Sequence, residues 1–69
     1  MEAPTQVDPY RDHWLAVRQS AIQHVRLHRV IAATAPPEAG AFIRDLIAAT
    51  TRQIRIVEGW TDCRPWDGS

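Results

Sequence analysis

Lysine is absent: all eight basic residues are arginines, and eight acids balance them to a formal net charge of zero. Without a charge excess or a block of like charge, nothing reads as a polybasic membrane-binding run or a nucleic-acid arm. Cys63 is the single cysteine, which excludes an internal disulfide framework. No apolar run is longer than Val30-Ile31-Ala32-Ala33, far short of the roughly 20 residues of a membrane span. Residues 1–8 hold Glu2 and Asp8 and no base, unlike a secretory signal. These absences together lead us to expect a reducing, cytoplasmic setting and no membrane partner. With 69 residues the chain has room for one small domain, residues 1–69, and large enzyme folds are disfavoured.

The charges are not evenly spread. Arg11, Arg18, Arg26 and Arg29 against Asp12 make residues 9–34 net basic by three. Residues 35–58 cancel, with Arg44, Arg52 and Arg55 against Glu38, Asp45 and Glu58. Asp62 and Asp67 outweigh Arg64 in the tail.

Two helical patterns divide the chain. Asp8-Pro9 is a good helix start, because aspartate accepts from free N–H groups and proline gives up only an orphan donor. Tyr10, Trp14, Val17, Ala21, Val25, His28 and Ala32 then recur in steps of three and four, one face of a helix over about 9–34. Ala21 is the smallest residue at the centre of that stripe and is expected to be a close-contact position. Pro36-Pro37 breaks the helix and can open the next. The second stripe is Phe42, Ile43, Leu46, Thr50, Gln53, Ile54 and Val57, with Gly59 as the expected stop. Helix 2 is thus expected over about 37–58, followed by a tail over 59–69. Gly40 sits where it can delay this helix, and Ile54-Arg55-Ile56-Val57 alternates in a way that also suits a short strand.

The expected fold is all-α. It is an antiparallel two-helix hairpin with an irregular, Trp-containing tail, completed by dimerisation into a four-helix bundle or by a larger partner. Two helices cannot enclose a core alone, and so small an unstapled hairpin usually needs oligomerisation or a partner. Leu27, Val30 and Ile31 lie off the main stripe of helix 1. With Trp60 and Trp66 they are the expected partner-binding residues, since tryptophan is enriched at interface hot spots. The competing reading is that the tail folds back and covers the hairpin itself.

Other chemistry has less support. His24 and His28 are four apart, a spacing suited to two metal ligands. HExxH and ExxH motifs are absent, however, and only a dimer offers four histidines, so no metal or cofactor is expected. Ser20, Cys63 and His13 fall in no nucleophile spacing. Asp45 and Glu58 are expected to be solvent-facing partners for arginines, and no enzymatic activity is expected. Arg11, Arg18, Arg26 and Arg29 cluster on one flank of helix 1, where arginines can contact phosphates or simply cover apolar surface with their stems. The leading expectation is a non-enzymatic interaction module, a small accessory or regulatory subunit. The alternative is a small dimeric nucleic-acid-binding regulator.

Finally, Trp60-Thr61-Asp62-Cys63-Arg64-Pro65 resembles the W-T-D-x-R-P signature of MbtH-like proteins. Those are small accessory proteins that bind and activate adenylation domains of nonribosomal peptide synthetases, and their motif likewise follows a helix. The resemblance covers six residues and implies a structural role for Trp60. The family's N-terminal three-stranded sheet and its earlier tryptophan pair have no counterpart in this sequence.

Overall fold

A computed structural model describes residues 8–69. The charge and signal readings made on residues 1–7 lie outside them. Two helices, α1 (Pro9–Thr34) and α2 (Pro37–Thr61), pack against each other as a hairpin. Among the described residues there is no strand, and no helix is long and apolar enough to cross a membrane.

The start of α1 follows from Asp8-Pro9 as the sequence predicts. The Asp8 carboxylate accepts from the N–H groups of Tyr10 and Arg11, each at 3.1 Å, satisfying two donors that have no partner inside the helix. The break falls at Ala35 and Pro36, both extended in backbone conformation. Gly40 does not delay α2. Its N–H donates to the Pro36 carbonyl at 2.8 Å, and its bare Cα faces Ala32 across the hairpin, so the two helices come close at the turn.

The end of α2 differs from expectation. Helix geometry runs through Gly59 and Trp60 to Thr61, and Asp62 takes the left-handed turn at φ 51°. The tail is therefore 62–69 rather than 59–69. The interior bonds of α2 and its packing on α1 override the intrinsic preference of Gly59, and Ile54–Val57 is helical for the same reason. A testable consequence follows. A Cβ at Gly59 would meet nothing within 4 Å, and glycine inside a helix costs about 0.5–1 kcal/mol relative to alanine. Gly59→Ala should raise the thermal midpoint; a lowered midpoint would place the left-handed residue at Gly59 after all.

The core is small. Ile22, Val25, Ile54 and Trp66 form it, with Ala21 and Ile47 packed against its edge. Val57 and Thr61 extend the buried line toward the end of α2. Trp66 comes from the tail and is only 8% exposed. The tail thus folds back along one side of the hairpin.

Candidate interaction face

The side of the hairpin that carries the tail is closed by arginines. Arg11 Nε–H donates to the Thr61 carbonyl at 2.9 Å, Arg18 Nη2 to the Arg64 carbonyl at 3.2 Å, and Arg29 Nη1 to the Ser69 carbonyl at 3.3 Å. The Arg29 guanidinium also lies over the Trp66 ring, 5.5 Å from its centroid, an attractive cation–π geometry. Of the four arginines on this flank of α1, Arg18 and Arg29 thus hold the returning tail, and Arg11 holds the end of α2 from which it departs. The fourth, Arg26, is exposed.

Glu58 is the centre of this arrangement, and here the expectation of a solvent-facing acid is corrected. It is buried. It accepts from Arg18 Nε at 2.9 Å, Arg55 Nη1 at 2.8 Å and the Trp66 backbone N–H at 2.7 Å. Position 58 is one turn beyond Ile54 on α2, where the tail passes, so its carboxylate is enclosed and needs several donors. Burial pushes the carboxyl up, but the Trp66 N–H, Arg55 and Arg18 together outweigh it and hold Glu58 below the ordinary glutamate range. Because the folded value is the lower one, this stabilisation is complete above the unfolded range and is lost as pH falls through the folded value. The thermal midpoint should fall on acidification below about pH 4, and Glu58→Gln should flatten that fall. A parent and a Gln variant with parallel acid limbs would contradict the assignment.

Among the described residues, the opposite side has no such cover. On α2, two apolar stripes run side by side. Ile43, Ile47, Thr50, Ile54, Val57 and Thr61 are buried or half-buried toward α1. Phe42, Leu46, Ala49, Gln53, Ile56 and Trp60 form a second line at the same alternating steps of four and three, the spacing of a helix–helix seam. In that line Phe42 is 65% exposed, Ile56 52% and Trp60 60%. The single stripe expected from the sequence mixed members of both. Near the open end of the hairpin the second line borders a groove of about 200 Å³ lined by Trp14, Val17, Gln53, Ile56, Val57 and Trp60. The Trp60 ring meets Trp14 edge-on at 5.1 Å, and Tyr10 and His13 continue the aromatic cluster on α1.

The expected partner-binding residues divide accordingly. Trp66 is taken up by the chain's own core, whereas Trp60 lies open on the groove. Leu27, Val30 and Ile31 are all exposed. Ile31 shares the helical line of Val17 and His24, seven residues apart, and so lies on the groove side. Val30 points away from both helices' shared side by the same spacing. His24 and His28 have ring centroids 6.4 Å apart, and among the described residues no third His, Cys, Asp or Glu joins them. Cys63 is half-buried in the tail.

Comparison with protein-family models, curated proteins and solved structures finds no match. The W-T-D-x-R-P segment has a plain structural part in this chain. Thr61 Oγ1 donates to the Val57 carbonyl at 2.8 Å, Asp62 turns the backbone, and the Arg64 carbonyl is held by Arg18. The segment turns the tail back so that Trp66 reaches the core.

Proposed function

We propose that the protein is a non-enzymatic helical interaction module, a small accessory or regulatory subunit that works through an apolar helix face. One observation carries the reading: the second α2 stripe, with Phe42, Ile56 and Trp60 more than half exposed, lies opposite the side that the tail covers. Exposed large apolar residues arranged in a continuous line, rather than scattered singly, mark a surface that another molecule covers. The stripe has helix–helix spacing and an aromatic anchor at its end, the pattern of a helical partner surface.

The phosphate-binding alternative has less room. Arg18 and Arg29 already donate to the tail, and Arg11 to the last carbonyl of α2, so contacting phosphates would require breaking these bonds.

A photo-crosslinking amino acid in place of Phe42, with Ala48 as the control on the far exposed side of α2, tests the module directly in the source cells. Position 42 should give a discrete protein adduct that position 48 does not. Equal or absent adducts at both positions would contradict the reading.

A further inference from the structure

Resting on that reading, we infer that the occupant of the second α2 stripe is a second copy of this chain, laid antiparallel on the first about a twofold axis at Ala49. The stripe has the symmetry that such a contact needs. Phe42 lies seven residues before Ala49 and Ile56 seven after it, so a twofold axis there sets each Phe42 against Ile56 of the second copy. Leu46, three residues before Ala49, and Gln53, four after it, then face each other offset by one residue. Isologous contacts require this self-complementarity, with residue i meeting j and j meeting i. Ala49, the smallest member of the line, is at the crossing point, where the helix axes must come closest.

The charges flanking the stripe agree. Asp45 and Arg52 lie seven apart on its outer edge, at nearly equal distances from Ala49. The ion pairs among the described residues join Arg18 and Arg55 to Glu58 and leave Asp45 and Arg52 unpaired. The twofold places Asp45 of each copy beside Arg52 of the other, twice per dimer. Within the stripe itself there is no ionised group to recognise an acidic or a basic partner. From the exposures of its large side chains the stripe presents on the order of 500 Å² per copy, so a pair with the adjoining Val17 and Ile31 reaches the roughly 1,000 Å² at which specific interfaces begin.

Sedimentation equilibrium across roughly 1–300 micromolar chain tests this, with circular dichroism on each variant. The parent should approach twice the chain mass reversibly. Phe42→Glu alters a side chain already exposed in the single hairpin, so it should remain helical and sediment as a monomer. Asp45→Arg should weaken the dimer roughly tenfold by setting like charges together twice, and the double exchange Asp45→Arg with Arg52→Asp should restore it to within about twofold. A parent that stays monomeric, a dimer indifferent to Phe42→Glu, or a double exchange that fails to restore association would each overturn the second copy as occupant. A monomeric parent that still forms the position 42 adduct with a different protein would overturn this inference and leave the interaction module standing. A monomeric parent with no adduct would end both.

Discussion

Trp66→Ala should destabilise the hairpin by about 3–5 kcal/mol, the usual cost of emptying a large aromatic site in a core. Among the described residues, Trp66 is one of four members of the core cluster, beside Ile22, Val25 and Ile54. It is also the residue that brings the tail across the tail-side flank of α1, and its ring is the surface over which Arg29 lies. Small domains hold about 5–15 kcal/mol in total, so the loss is a large share and should lower the thermal midpoint by more than about 10 °C. Urea unfolding at fixed protein concentration measures it; the concentration must be fixed because self-association adds apparent stability. A loss below about 1 kcal/mol would mean that the tail does not belong to the core.

Glu58→Ala should be comparably costly, about 3–5 kcal/mol, because breaking a buried ion pair strands the other members. Arg18, whose side chain is only 16% exposed, loses its ion-pair partner. The buried Trp66 N–H loses its acceptor, and Arg55, half-exposed, retains the Trp66 carbonyl at 2.7 Å. Arg18 and the Trp66 N–H therefore account for most of the effect, and Arg55→Ala should cost much less. Glu58→Ala and Trp66→Ala both release the same segment, so the double variant should lose clearly less than the two single losses combined. Full additivity in urea unfolding would show that the carboxylate and the indole act independently.

The parts of the fold governed by local chemistry were readable from residues alone. Asp8-Pro9 and Pro36-Pro37 placed the helix starts and the break, because capping and the missing proline N–H act over one turn. The positions that depended on the returning tail were not readable. Glu58 is an acid among arginines in the sequence, and nothing nearby announces that Trp66, eight residues on, will donate to it. The arginine flank read as a phosphate or solvent surface for the same reason, since its acceptors are carbonyls of residues 61–69 far along the chain. Gly59 misled because a glycine at the end of an apolar pattern suits a stop, while the left-handed turn went to Asp62. The second α2 stripe is a different case. Its steps of four and three from Phe42 to Trp60 are present in the sequence, but pooling all apolar positions into one face hid that there are two.

Disulfide trapping at position 49 tests the account most directly. In a Cys63→Ser background, which removes the single native thiol, Ala49→Cys places one cysteine at the proposed axis. The two copies of that residue then fall within the roughly 7 Å Cα separation that a disulfide can bridge. Ala48→Cys, on the exposed side turned away from the stripe, is the matched control. Under mild oxidation the position 49 variant should become a covalent dimer that keeps its helical circular dichroism, well ahead of the position 48 variant. Equal rates at the two positions, or no covalent dimer at position 49, would contradict it.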